Sequence, residues 1–546
     1  MKQSSFTVKP DLRKTFLVDG AAAFAGGDVE KAIRLFQGGK KIWKEAIWDY
    51  NLGVILAKSG RNDEAIAAYD AALEIDPKHG PSLLNKATVY FGMEQFEKAA
   101  EVALAAAQAA PDSLKAWLNY VNCLLRIDSP ENRALAKRAL RKAIAADKSS
   151  VDSYMLLLKL YEDERDFRNA IDTANKGLKN CPESAELWNH LGTYMAFFLS
   201  DWEQALECYN KAVRLKPEYW GAVVNRGIAR LTMGDMGGFE DYAHRFKIKD
   251  GMYVELKRDM PRLPLDKGPE EAVGKRLLVW GDQGIGDIIL YSSTLRRAAE
   301  QCAVSGGALT FEVNSRLAPL YRRSFPDVEV VDMTKDGENL VGKDIDSYIS
   351  GLDLAGLCWR GGNVQPSGNY LIADPVQVEE LRASYSGGNR LVIGLGWRSA
   401  NVFIGKDKSI ALDAFKPLFD LFPDAVFINL QFSAESDEIL KLMEMLGDRF
   451  ITDPTVDTYN NLDRLAAQIA ACDFVVSVSN TNVHLAGALG VPTYLMVNRG
   501  AGTLWYWHDD GKKETAFYSS VKKFYKDLDE PWDVVVNKIV KELGNG

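Results

Sequence analysis

The sequence predicts an α-helical solenoid followed by two α/β lobes. Two observations carry that expectation. A helix-pair signature returns at intervals of 34 or 35 residues through the first half of the chain. Near residue 275 it gives way to short β-rich runs that alternate with helical stretches. Length agrees, because 546 residues exceed what one hydrophobic core holds. So does composition: at 47% hydrophobic and 26% charged it is that of an ordinary folded chain.

The repeats are read from their prolines. Pro77 and Pro111 are 34 residues apart, and Pro182 and Pro217 are 35 apart. Leu52-Gly53, Ala65, Tyr69 and Ala72 precede Pro77; Leu83, Ala87, Tyr90, Ala99 and Ala106 precede Pro111. A copy from Trp117 to Ala143 is stretched by about three residues and lacks the proline. Tyr154 to Pro182 and Trp188 to Pro217 follow, with Gly20, Ala32 and Phe36 as an earlier copy. Gly227, Gly234, Phe239 and Tyr242 form a degenerate last one. Small residues let paired helices approach, an aromatic fills the gap between pairs, and proline stops the second helix. Spacing and residue types are those of tetratricopeptide repeats. Such an array curves into a superhelix whose groove takes a peptide or protein segment; a dimer interface or a rigid spacer stays open as the plainer role. Asn51, Asn85, Asn119, Asn189 and Asn225 recur near the sixth position of each first helix. They are candidates for an acceptor-binding ladder, since an amide donates to and accepts from a peptide backbone of any sequence; plain helix-surface polarity is the alternative.

The expected organisation is a repeat superhelix over 1–249, a linker over 250–274, an N-terminal α/β lobe over 275–385 and a C-terminal lobe over 386–546. The linker is rich in glycine and proline, but Tyr253, Leu256 and Leu263 predict that it packs. In the first lobe, strands are expected at 277–280, 309–313, 328–331 and 345–349, with a helix over 287–301. In the second they are expected at 391–395, 426–430, 474–478 and 493–497. Alternation of this kind implies parallel sheets, which bind ligands at the carboxyl ends of their strands.

Three turns at strand ends carry the candidate chemistry. Gly281-Asp282-Gln283-Gly284-Ile285-Gly286-Asp287 lets backbone approach a ligand and leads into a helix N-terminus, which favours an anion. Its spacing is neither G-x-G-x-x-G nor the G-K-[ST] of a P-loop. Trp397-Arg398-Ser399 through Lys406, Lys408 and Ser409 offers cations and hydroxyls that suit a diphosphate. Ser479-Asn480-Thr481-Asn482, with His484 one turn on, caps an Ala/Gly-rich helix that Gly490 and Pro492 end.

Other classes are disfavoured. A net charge of −9 argues against nucleic acid. No apolar run reaches the roughly 18 to 20 residues of a membrane span, and the polar start does not read as a signal peptide. Six scattered cysteines without a C-x-x-C pair read as reduced thiols, hence a cytoplasmic setting, and five dispersed histidines give no metal pattern.

At these turns the second half resembles glycosyltransferases of the two-lobed GT-B fold, most closely the heptosyltransferase-like family in its tetratricopeptide-fused form. The W-G-(acid)-Q-G-(apolar)-G-D turn of that family is matched by Trp280 to Asp287. Its G-x-x-W strand end and basic segment are matched by Gly394 to Trp397 and Lys408-Ser409-Ile410. Its L-Q strand end is Leu430-Gln431, and its S-V strand with H-L-A-G-A-L-G-x-P is matched by Cys472 to Val478 and His484 to Pro492. The layout is also similar to O-GlcNAc transferases and to bacterial flagellin glycosyltransferases. Where the family carries aspartate after the S-V strand, this chain has Ser479.

The resemblance implies an inverting, metal-independent glycosyltransferase of α-solenoid plus GT-B architecture, with two Rossmann-like lobes. It would use a nucleotide-sugar donor and no other cofactor. The implied base is Asp287. Implied donor-binding residues are Gly284, Gly286, Trp397, Lys406, Lys408, Ser409, Gln431, Ser479, Asn480, Thr481, Asn482 and His484, with Trp505 and Trp507 near the pocket. The expected acceptor is a protein such as flagellin, held by the repeats. A lipid or polysaccharide precursor as acceptor, a non-catalytic repeat scaffold, and self-association all stay open.

Overall fold

The computed structural model describes residues 12–249, 255, 260–263, 276–304, 306–334, 337–359, 364, 369–387, 389–399, 405–500, 503–527 and 530–544. They form two compact units, 1–187 and 188–546, so the division falls within the repeats.

The first unit contains five helix pairs, from Leu12–Ala25 with Val29–Ile42 to Val151–Asp163 with Phe167–Asn180. The repeat grammar is a packing grammar. A Cβ placed on Gly53 would lie 2.5 Å from the Tyr69 ring, so only glycine lets the two helices of that pair meet. Ala65, Tyr69, Ala72, Ala99 and Ala106 are all buried. Pro77 and Pro111 directly follow the C-caps Asp76 and Ala110. The stretched copy absorbs its extra residues as a longer second helix, 17 residues at Pro130–Ala146 against 14 at Asn62–Ile75. Side-chain caps start several helices: Asp28, Ser113, Ser129, Ser150 and Asp166 each accept from a backbone N–H three residues on.

The second unit continues the repeats through Trp202–Leu215, Trp220–Thr232 and Gly238–Tyr242 and then builds two sheets. The strands are β1 (Arg276–Trp280), β2 (Ala308–Val313), β3 (Glu329–Asp332), β4 (Ser347–Ser350), β5 (Val392–Gly396), β6 (Val426–Asn429), β7 (Phe450–Ile451), β8 (Phe474–Val478), β9 (Thr493–Asn498) and β10 (Val521–Lys526). The first sheet runs β3-β2-β1-β4 and the second β10-β9-β8-β5-β6-β7, and every pair of neighbours is parallel. Strands buried on both faces explain the near-continuous apolar runs of β5 and β8.

Most of the expected linker lies outside the described residues. Its described part packs as expected: Leu263 is buried, its N–H bonds the Tyr348 carbonyl, and the Tyr348 N–H bonds the Pro261 carbonyl, which covers the β4 edge. The helix expected over 287–301 is instead two, Ile285–Ser292 and Leu295–Val304. The hydroxyls of Ser292, Ser293 and Thr294 bond carbonyls of the preceding turn and end the first helix there. β7 and β10 were not expected. β7 is two residues long, and β10 reads Val-Lys-Lys-Phe-Tyr-Lys, a lysine-bearing edge strand whose polarity hides it.

One buried ionic cluster fixes the degenerate last repeat to the first sheet. Arg245, in the 3-10 turn Ala243–Lys247, is fully buried. Its Nη1 donates to Asp353 Oδ1 at 2.6 Å, and its Nη2 to Asp282 Oδ2 and Ser350 Oγ, both at 2.8 Å. Arg262 Nη2 meets the other oxygen of Asp353 at 2.7 Å. Removing the guanidinium leaves two buried carboxylates short of a cation, which costs about 3–5 kcal/mol. Arg245→Met is therefore expected to lose about that much stability in urea unfolding at pH 7, and an unchanged midpoint would contradict this reading of the cluster.

Candidate functional site

The turns singled out in the sequence meet at one cavity of about 320 Å³. It lies at the carboxyl ends of β1, β5, β6 and β8, where the loops of parallel strands converge. Two helix N-termini face it. Gly284, Ile285, Gly286 and Asp287 open the helix Ile285–Ser292, and Ser479, Asn480, Thr481 and Asn482 open Thr481–Leu489. Arg316, Arg398 and Lys408 also line it, whereas Asp287 is the one carboxylate among the described lining residues. Peptide dipoles, Lys408 and Arg316 make a seat for an anion, while the Arg398 guanidinium at its edge is already paired with Glu435 at 2.6 Å.

Local sequence explains each wall. Asp282 shapes the first turn: its Oδ1 accepts from the Leu352 N–H at 3.2 Å, its Oδ2 accepts from Arg245, and its carbonyl accepts from Tyr291. Gln283 takes φ +73°, which turns the chain into the helix. Asp287 Oδ2 then accepts from the Gly284 N–H at 3.2 Å, and its carboxylate also accepts from the Tyr506 hydroxyl. Burial pushes the Asp287 carboxyl up to about 6, against the lowering effect of those two hydrogen bonds. Lys408 is 4% exposed, and burial pushes its ammonium down to about 8 although the charge of Asp287 opposes the fall.

The second turn is held by amides. Asn480, the N-cap of Thr481–Leu489, accepts from the Asn482 N–H at 3.1 Å and donates to the Arg398 carbonyl at 3.3 Å. Asn482 donates to the Leu430 carbonyl at 2.7 Å. Gln431 accepts from the N–H groups of Trp397 and Arg398, at 3.1 and 2.8 Å, and so ties the ends of β5 and β6 together. Ser479 Oγ accepts from the Trp507 indole at 3.0 Å. A Cβ on Gly286 would sit 2.7 Å from the His484 ring, so glycine is what allows the two turns to touch.

Gly284, Gly286, Asp287, Lys408, Gln431, Ser479, Asn480, Thr481, Asn482 and His484 thus share one cavity. Trp397 is buried in the core and Ser409 donates to the Gly405 carbonyl, so neither is among the described residues of the wall. The side chain of Lys406 lies outside the described residues. Trp505 and Trp507 pack into the core; the residue between them, Tyr506, reaches the cavity, because a 3-10 turn rotates successive side chains by a third of a circle. Also not anticipated were Arg316, whose guanidinium lies 4.4 Å from the Tyr459 ring centre, and the Phe432–Tyr459 pair, stacked at 4.9 Å on the rim. No local motif marks these three; they meet only in space.

Four of the five repeat asparagines already have partners within the fold. Asn51 Nδ2 donates to the Ile47 carbonyl at 2.7 Å, and Asn85 bonds the Tyr69 hydroxyl. Asn119 is half-buried. In the second unit Asn225 Nδ2 donates to Asn189 Oδ1 at 3.0 Å, and Asn189 is buried.

Known proteins bear on the two halves unequally. Three family models describing the tetratricopeptide repeat match residues 20–79, 56–117 and 185–219, so the chain carries tetratricopeptide repeats. The chain is 26% identical over 540 residues to the protein FlbA of Caulobacter vibrioides, across 90% of this chain and 83% of that protein. It is 27% identical over 233 residues to anaphase-promoting complex subunit 7 of Arabidopsis thaliana, across 36% of this chain and 41% of that one. Among solved structures, YrrB, described as a tetratricopeptide-repeat protein with an unusual peptide-binding site, matches 34% of this chain and 95% of its own at 21% identity and a TM-score of 0.29.

Anion affinity should follow two titrations. Bound sulfate favours the protonated forms of Asp287 and Lys408, so affinity is greatest below pH 6. It falls as Asp287 ionises near 6 and falls again as Lys408 loses its proton near 8. Calorimetric titration with sulfate from pH 5 to 9 should show both steps. Asp287→Asn should remove the first, and Lys408→Met should remove the second while weakening binding about tenfold or more at pH 7. A flat profile would contradict the assignment.

Proposed function

We propose that this chain is a glycosyltransferase that moves a sugar from a nucleotide-sugar to an acceptor protein held by its repeats. One observation carries the proposal: two helix N-termini, Lys408 and Arg316 converge with Asp287, the one carboxylate among the described lining residues, raised to about 6, at the carboxyl ends of two parallel sheets. Two such sheets with a cavity at their strand ends support the two-lobed GT-B reading. The site's chemistry suits a diphosphate leaving group beside a general base that works near neutrality.

In the proposed step, the acceptor hydroxyl oxygen attacks the anomeric carbon from the side of Asp287. The bond from that carbon to the diphosphate oxygen breaks, and its electron pair leaves with the nucleotide. The acceptor proton passes to Asp287, whose charge until then is set by Tyr506 and the Gly284 N–H. Negative charge growing on the diphosphate meets Lys408 and the amides that follow Asn480, which need no reorganisation at the moment of transfer. The repeats bind the acceptor as a peptide or protein segment, and we place the reaction in a reducing compartment, which suits six free thiols.

A second reading is favoured by Ser479, which stands where related enzymes carry aspartate and whose hydroxyl is engaged by Trp507. It makes the body a binding module without turnover. Release of nucleotide from a panel of uridine, guanosine, cytidine and thymidine diphosphate sugars separates the two. The transferase reading predicts turnover by the wild type, reduced about 10²- to 10⁴-fold in kcat by Asp287→Asn. Unchanged turnover in that variant would remove Asp287 from its role; binding without turnover in the wild type would favour the module.

A further inference from the structure

The outer side of the repeats in the first unit is divided by charge. The first helices of consecutive pairs, Ala46–Lys58, Gly80–Gly92 and Leu114–Ile127, pack on one another, which leaves the second helices on the outside of the stack. On the second helix Phe96–Ala109, Glu97 and Glu101 are exposed one turn apart; on the next, Pro130–Ala146, Arg138 and Lys142 are. Among the described residues, none of these four side chains has an ion pair or hydrogen bond within the chain. The flanking second helices extend each sign. Asn62–Ile75 has Asp63, Glu64, Asp70 and Glu74 and no base, while Phe167–Asn180 has Arg168, Lys176 and Lys179 against one acid, Asp172. On the two central helices only Lys98 and Glu131 break the pattern.

Such segregation is unfavourable in an isolated chain. Like charges four residues apart on a helix repel and destabilise it, and a field of one sign repels itself. Both effects reverse when a surface of opposite sign covers each pair. A face with an acidic half beside a basic half is its own complement under a two-fold axis.

The repeat register makes the fit specific. Ala99 and Ala106 of one central helix correspond to Ala136 and Ala143 of the other. Glu101 and Arg138 therefore stand at the same level, with Glu97 one turn before it and Lys142 one turn beyond. An axis normal to the face between these helices lays Phe96–Ala109 of one copy antiparallel to Pro130–Ala146 of the other. Glu97 of each copy then meets Lys142 of the other, and Glu101 meets Arg138.

We propose that the chain pairs with a second copy of itself through this outer face, by reciprocal contact of Glu97 and Glu101 with Lys142 and Arg138. The inference goes beyond the transferase reading and does not rest on it. A repeat stack curves away from an outer contact, so the flanking helices orient the encounter by their charge rather than add pairs. The inner side, where the first helices lie, is left open for an acceptor.

Sedimentation of the full chain with charge reversal tests this. The wild type should be a dimer at about 0.05 M salt and dissociate at about 1 M, where charges are screened beyond about 3 Å. Arg138→Glu with Lys142→Glu makes the face acidic throughout, and Glu97→Lys with Glu101→Lys makes it basic throughout. Each double variant alone should raise the dissociation constant about 100-fold or more. An equimolar mixture of the two should form a heterodimer, which also shows that both are folded. The milder pair Glu97→Gln with Glu101→Gln should weaken the dimer about tenfold. A wild-type monomer at low salt, an assembly larger than a dimer, a dimer that survives either reversal, or no weakening by the glutamines would overturn the proposal. So would a mixture that stays monomeric while each variant keeps the circular dichroism of the wild type.

Discussion

The arrangement depends most on a charge that water never reaches. Arg245, the last strongly placed side chain of the repeat region, is shared by Asp282 and Asp353. A buried guanidinium is tolerated only where its charge is met by carboxylates with good geometry, and here one of those carboxylates belongs to the turn that carries Asp287. Asp282 cannot leave Arg245 without exposing both to an apolar interior. The φ of Gln283, the direction of the Gly284 N–H and the position of Asp287 all follow from where Asp282 is held. A bond made for packing thereby determines a site.

The cavity turns the same economy to a different end. Its anion seat is built chiefly from backbone, two helix N-termini brought together because Gly286 leaves room for the His484 ring. Backbone dipoles carry no conformational cost when an anion arrives, and burial of Lys408 and Asp287 leaves each of them within reach of a proton exchange near neutrality. Gln431, Asn480 and Asn482 use their amides on neighbouring backbone rather than on the open space. They read from sequence as ligand contacts; in the fold they set the shape of the loops whose N–H groups line the cavity.

Much of the architecture was legible because it is periodic. Repeats every 34 residues, with glycine, alanine and tyrosine in fixed places, are packing rules written along the chain, and buried parallel strands announce themselves as apolar runs. What escaped was written in no local pattern. β10 carries lysines because it is an edge, and Lys523 there is buried with its Nζ on the His508 carbonyl and Asp510. Arg245 carries no local signal, since its partners stand 37 and 108 residues away. Tyr506 was passed over for its two tryptophan neighbours, because side-chain direction in a single 3-10 turn cannot be told from residue type. The convergence of Asp287, Lys408 and the 479–482 turn was readable, since each follows a parallel strand and such loops gather at one end.

The central claim is that a departing diphosphate is received at the N-terminus of Thr481–Leu489 with Lys408 beside it. A crystal structure of the chain with a bound nucleoside diphosphate tests this directly. The account predicts the diphosphate within hydrogen-bonding distance of the amides after Asn480 and of Lys408 Nζ, on the side of the cavity facing Asp287. Density for the nucleotide elsewhere, or a diphosphate that leaves Lys408 and those amides untouched, would contradict it.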